Sequence, residues 1–157
     1  MPRARWPVRL AIDRESPDLP AVEQAVCTEL AAVDAGPEVC NQVLVAILEA
    51  VANALRHGRT LDGAGRPVLL DLEVSDGRIT ATVTDDGPGF DPAACPDPRA
   101  PERLLLPGGR GLLLMRHYMD SVDHAFPPGG GTVVTLRRSV PAAGPEAEDP
   151  RRREDRG

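Results

Sequence analysis

At 157 residues the chain has room for one ordinary domain with its own core, and is too short for two. Hydrophobic residues at 41% and charged residues at 27% are the proportions of a globular protein, while aromatics at 3% require an aliphatic core. The net charge of -6, with arginine as the sole basic residue type apart from histidine, disfavours nucleic acid as a direct partner. Cys27, Cys40 and Cys95 are odd in number and show no metal spacing, which argues against a disulfide framework or a zinc site. The start MPRARWPVRL has no apolar signal core, and no run reads as approaching the ~20 apolar residues of a membrane span. A cytoplasmic protein is expected.

In chain order, residues 1–5 read as a flexible N-terminus and Trp6 to Ile12 as a first strand with Val8, Leu10 and Ile12 alternating. A break at Ser16-Pro17-Asp18 precedes a helix over about Pro20 to Val33, whose apolar positions Val22, Val26, Leu30 and Val33 keep helical spacing. Gly36-Pro37 ends that helix and opens the next. Its stretch Val43 to Gly58 is amphipathic: Val43, Leu44, Ile47, Leu48, Val51 and Leu55 form one side, and Gln42, Glu49 and Asn53 the other. Ala46, Ala50 and Ala52 are expected to fill out the polar side and leave room for a ligand against Glu49 and Asn53. Arg56 and His57 suit the negative helix end, and Gly58 is the expected stop.

Pro67 to Val74 and Arg78 to Thr84 alternate with period two about Ser75-Asp76-Gly77, a hairpin signal. Asp85-Asp86-Gly87-Pro88-Gly89-Phe90 follows, then a proline-rich loop to Pro107 that reads as a lid, ordered by nucleotide. Gly108 to Gly111 opens a third helix in which Leu112, Met115 and Met119 share a face. Ser121 to Phe126 and Thr132 to Arg138 read as two strands around a Pro-Gly turn, and residues 141–157, charged and proline-rich, as a disordered tail after a domain of residues 6–140.

Four signals thus occur in one order: Glu49-x-x-x-Asn53 on a helix, Asp85-x-Gly87-x-Gly89 at a strand end, Gly109-x-Gly111 at a helix start, and Gly131-Thr132 entering a last strand. Each is weak by itself. In combination the chain resembles the GHKL ATPase superfamily, with EAVANALRHG as its N box, DDGPGF, GGRGLLLMRHYMD and GGGTVVTL as its G1, G2 and G3 boxes, over roughly Val8 to Arg138. The single GRGL and the Met119-Asp120 after the helix look like the bacterial anti-sigma factor serine kinases.

The resemblance implies a two-layer α/β (α+β) sandwich, the GHKL (Bergerat) ATP-binding fold, with a mixed, largely antiparallel sheet and helices on one face. It implies ATP and Mg²⁺ as ligands. Asn53 is then the metal anchor, which suits an ion that keeps most of its waters, and Glu49 the catalytic base. Asp85 resembles the aspartate that accepts a hydrogen bond from the adenine amino group. Gly87 and Gly89 let the backbone approach the base, and Gly109 to Gly111 offer amide N–H groups at a helix N-terminus to the phosphates, with Leu112 and Thr132 completing the nucleotide site; Arg110 either adds charge there or is a solvated arginine. By the same likeness the expected activity is an ATP-dependent protein-serine kinase acting as an anti-sigma factor, with a sigma factor and a STAS-domain anti-sigma antagonist as partners and a homodimer as the assembly. The alternative is a non-enzymatic ATP-binding module that sequesters a partner; a base at Glu49 separates the two.

Overall fold

The computed structural model describes residues 7–57, 65–88 and 110–140. Its elements run in chain order as β1 (Val8–Ile12), α1 (Leu19–Leu30), α2 (Gly36–His57), β2 (Val68–Ser75), β3 (Arg78–Asp85), α3 (Gly111–Tyr118), β4 (Ser121–Ala125) and β5 (Thr132–Ser139). The expected N-terminal residues 1–5, Trp6, the helix stop at Gly58, the lid over Asp91 to Pro107 and the tail 141–157 lie outside the described residues.

Strand alternation places one face of each strand inward. Val68, Leu70 and Leu72 of β2, Ile79, Ala81 and Val83 of β3, and Val134 and Leu136 of β5 are buried, together with Ile12 of β1. Among the described residues the sheet order is β1-β2-β3-β5-β4 and every neighbouring pair is antiparallel, so the expected mixed sheet is here antiparallel throughout. The β2–β3 hairpin closes through Asp76 and Gly77, both at positive φ (49° and 69°), the geometry that matches the strand twist. On the opposite sheet face, ion pairs such as Arg9 with Asp71 and Arg137 with Asp123, each at 2.6 Å, lie in the open. Among the described residues the helices therefore cover one face, giving the two-layer α+β sandwich implied by the resemblance.

In α1 the Asp18 side chain accepts from the Ala21 N–H at 3.0 Å and Pro20 occupies the first turn, so a cap fixes the start. The helix ends at Leu30, short of the expected Val33. Beyond it Ala32 and Val33 turn through three-residue hydrogen bonds to Glu29 and Leu30.

The 22-residue α2 lies across β2, β3 and β5 and between α1 and α3. An 18-residue window of it has a mean hydropathy of 1.4, so that by length and composition alone the helix could cross a membrane. Val43, Ala46, Ile47 and Val51 are nevertheless at 0% exposure among the sheet and neighbouring helices, which makes α2 a core helix.

The burial also corrects the expected faces of α2. Ala46 and Ala50 belong to the core, whereas Leu44, Leu48 and Leu55 are only partly buried. The helix meets both the sheet and α3, so its buried arc is centred between the aliphatic and the alanine sides, and small residues let α3 approach. Glu49 and Asn53 consequently stand at the edge of the buried arc, half-buried, rather than in the middle of an open face.

Candidate nucleotide site

Four residues apart on a helix, Glu49 and Asn53 are stacked neighbours. The first residue of α3 lies directly against them. A Cβ at Gly111 would stand 2.8 Å from Glu49 Oε2, 3.4 Å from Asn53 Nδ2 and 3.7 Å from its Oδ1. Gly111 is buried, and only a residue without a side chain leaves the carboxylate and the carboxamide in place beside a helix N-terminus. Arg56, exposed, sends Nη2 to Asn53 Oδ1 at 3.4 Å and Nε to the Ala52 carbonyl at 3.3 Å. His57 is exposed at the helix end.

Gln42, grouped by the sequence pattern with Glu49 and Asn53, is used elsewhere: Oε1 accepts from Arg138 Nη2 at 3.3 Å and Nε2 donates to Glu38 at 3.3 Å. At the start of α3, Arg110 holds the N-cap position with an exposed side chain and no side-chain capping bond, and Leu112 packs partly buried against the core. Gly89 and Gly109 lie outside the described residues.

A second group forms where β3 ends and β5 begins. Asp85 is 7% exposed, and its Oδ1 accepts from the Gly87 N–H at 2.8 Å. Burial pushes the Asp85 carboxyl above the ordinary carboxylate range; the Gly87 bond and the charge of Arg14 pull it back, and Asp86 adds a smaller upward push. Asp85 pairs with Thr132 in the β3–β5 ladder, and Thr132 is 3% exposed. Gly131, at φ 93°, donates to the Gly87 carbonyl at 3.0 Å. A Cβ there would stand 2.4 Å from the Asp85 carbonyl oxygen. Asp85-x-Gly87 and Gly131-Thr132, 46 residues apart from Asp85 to Gly131, are thus one structure.

Two arginines whose hydrogen bonds join the elements around these groups escape sequence reasoning. Arg14 is 9% exposed and donates from Nε to the Arg66 carbonyl at 2.7 Å and from Nη1 to the Ala54 carbonyl at 3.0 Å. Arg138 donates to the Tyr118 carbonyl at the end of α3 as well as to Gln42. Neither carries a motif signal, because both serve carbonyls far away in sequence.

The residue types fit a magnesium nucleotide. Asn53 offers a neutral oxygen for a hard cation, Glu49 a carboxylate next to it, Gly111 a side-chain-free helix start, and Asp85 a recessed hydrogen-bond acceptor. A two-layer α+β sandwich with this arrangement on its central helix and strand end is suited to hold a nucleotide. The chain belongs to the histidine kinase-like ATPase domain family, whose profile matches residues 14–138. It is similar to the anti-sigma F factor of Pasteuria penetrans, 31% identical over 123 residues that cover 76% of this chain and 81% of that protein. The anti-sigma F factor of Heyndrickxia coagulans is 30% identical over 104 residues, covering 64% and 68%.

Among solved structures, the RsbU and RsbW domains of a Mycobacterium tuberculosis protein superpose with a TM-score of 0.62 at 21% identity. That match covers 87% of this chain and 33% of the other, so the chain spans about a third of it. The SiaB-SiaC complex of Pseudomonas aeruginosa gives a TM-score of 0.53 at 19% identity, covering 87% and 91%. These two likenesses establish the fold.

Proposed function

We propose that the chain is an ATP-dependent protein-serine kinase and an anti-sigma factor, which binds a sigma factor and phosphorylates a serine of a STAS-domain antagonist. The observation that carries this reading is Glu49 beside Asn53 against the bare backbone of Gly111. A partner-sequestering module needs a nucleotide anchor but has no use for a carboxylate next to it. The anti-sigma F factors among its relatives support the choice of partners.

On this reading Asn53 would hold Mg²⁺ through its amide oxygen, and Asp85 would accept a hydrogen bond from the adenine amino group, rejecting guanine, whose carbonyl faces it. Bound Mg-ATP supplies the phosphoryl group. Glu49 accepts the proton of the serine hydroxyl as the new P–O bond forms and the bond to the departing ADP oxygen breaks. By the family resemblance Gly87 and Gly89 would let the backbone approach the base, Gly109 to Leu112 with Arg110 would take the phosphates, and Thr132 would complete the nucleotide site. The catalytic unit is residues 6–140, acting in the cytoplasm as a homodimer.

Radiolabelled phosphate transfer to an authentic antagonist, run beside a nucleotide titration, tests the assignment. Glu49→Ala is expected to keep nucleotide binding and lose about 10² to 10⁴ in transfer, the usual contribution of a general base. Asn53→Ala is expected to lose both. Transfer by Glu49→Ala at the unmutated rate removes Glu49 as the base. No transfer by the unmutated protein to any authentic antagonist makes the chain a binding module.

A further inference from the structure

Arg14 sits in the turn that follows β1, and its neighbours explain why it points inward. Asp13 Oδ1 accepts from the Glu15 and Ser16 N–H groups at 2.8 and 2.9 Å, which fixes the turn. Glu15 and Ser16 are exposed, whereas Arg14 is buried.

Its guanidinium goes to two carbonyls on different elements. Ala54 belongs to the last turn of α2, where carbonyls lack an intrahelical partner and the helix end is negative. Ala54 also directly follows Asn53, the proposed metal anchor. The Arg66 carbonyl lies two residues before β2, and the Arg66 side chain approaches Asp86 at 3.8 Å.

Among the described residues the charged groups that act on the Asp85 carboxyl are Arg14, which favours its ionised form, and Asp86, which opposes it and faces Arg66. A single buried cation therefore ties the turn that carries Asn53 to the entry of β2 and acts on the end of β3.

We propose that Arg14 is a positioning residue of the nucleotide site: it fixes the last turn of α2, and with it Asn53, and supplies the buried positive charge that accompanies Asp85. The inference rests on the nucleotide-site reading above. A planar fork with donors on two sides suits two carbonyls in different directions, and an ammonium on a flexible stem does not replace it. Charge and fork are therefore separable by substitution. Arg14→Gln removes the charge, and Arg14→Lys keeps it while removing the fork.

The test follows the Asp85 carboxyl by carbon-13 NMR titration of the nucleotide-free protein, and Mg-ATP affinity by calorimetry, in both variants. Arg14→Gln is expected to move the Asp85 midpoint upward and to weaken Mg-ATP progressively as pH falls. Arg14→Lys is expected to leave the midpoint near its unmutated position and to weaken Mg-ATP several-fold. An Asp85 midpoint unmoved in a folded Arg14→Gln overturns the proposal, and so does unmutated Mg-ATP affinity in Arg14→Lys. The second result decides alone if Arg14→Gln does not fold. Asp85→Asn serves as the control on the underlying reading: if it discriminates ATP from GTP as the unmutated protein does, Asp85 is not the base reader, whereas the titration in the nucleotide-free protein still judges Arg14.

Discussion

At Gly111 and Gly131 the same absent side chain serves different ends. A Cβ at Gly131 would collide with backbone, the Asp85 carbonyl at 2.4 Å, at a φ of 93° that other residues rarely adopt. Gly131→Ala is therefore expected to destabilise the fold by more than about 2 kcal/mol, read by urea unfolding. A Cβ at Gly111 meets the flexible end of Glu49, which can swing away. Gly111→Ala is expected to melt close to the unmutated protein while phosphate transfer falls at least as far as transition-state positioning requires, about tenfold or more. An unmutated transfer rate would show that Glu49 has no need of its place beside α3.

Asp85 sets binding against stability. Its folded carboxyl is held above the ordinary range chiefly by burial, so the folded state binds this proton more tightly than the unfolded one. Stability accordingly falls as pH rises from the unfolded value through the raised folded value, and above that window the fold bears the whole cost of ionising a buried carboxylate. Asp85→Asn keeps an oxygen for the Gly87 N–H and removes that cost. The nucleotide-free variant is expected to melt no lower than the unmutated protein at pH 7, with its advantage shrinking below the carboxylate range, and to lose discrimination between ATP and GTP. A clearly lower melting temperature at pH 7 would mean that the charge stabilises the fold.

Among the elements, α2 and α3 form the pair that makes the site. Gly111 at the start of α3 meets Glu49 and Asn53, while Arg138 joins the Tyr118 carbonyl at its other end to Gln42, two turns earlier on α2. The two helices therefore run antiparallel, fixed at both ends, and β5 supplies the second fastening through Arg138. Arg138→Ala leaves the Tyr118 carbonyl in a part-buried setting without this donor, with an expected loss of about 1 to 3 kcal/mol by chemical denaturation. The same variant is expected to transfer phosphate more slowly, since α3 then loses its anchorage relative to Glu49. A loss of stability without any loss of transfer would confine Arg138 to the fold.

At the scale of the whole molecule the nucleotide should be part of the stability. A ligand that binds only the folded state at a hundredfold excess over its Kd adds about 2.7 kcal/mol. For a domain of this size each kcal/mol moves the midpoint by roughly 2–8 °C. Mg-ATP is expected to raise the melting temperature by about that measure, with GTP, or ATP beside Asn53→Ala, giving little. Equal shifts from ATP and GTP would remove the adenine preference assigned to Asp85.

The arrangement of elements was legible in the residues themselves. Period-two runs such as Val68 to Val74, the Asp76-Gly77 turn and the helical spacing from Val43 onward are local signals, because each element's burial pattern follows its own geometry. Glu49 and Asn53 could be paired for the same reason, being one turn apart on a single helix. Which side of α2 is buried was another matter. Ala46 and Ala50 look neutral in sequence and became core only because α3 and the sheet meet the helix on two sides. Gln42 left the chemical face because Arg138, 96 residues away, claims it. Arg14 had no pattern at all, since a guanidinium that binds main-chain carbonyls depends on where the backbone passes and on no particular partner side chain. Local periodicity thus determined the elements, and tertiary packing decided which residues reach the site and which hold it in place.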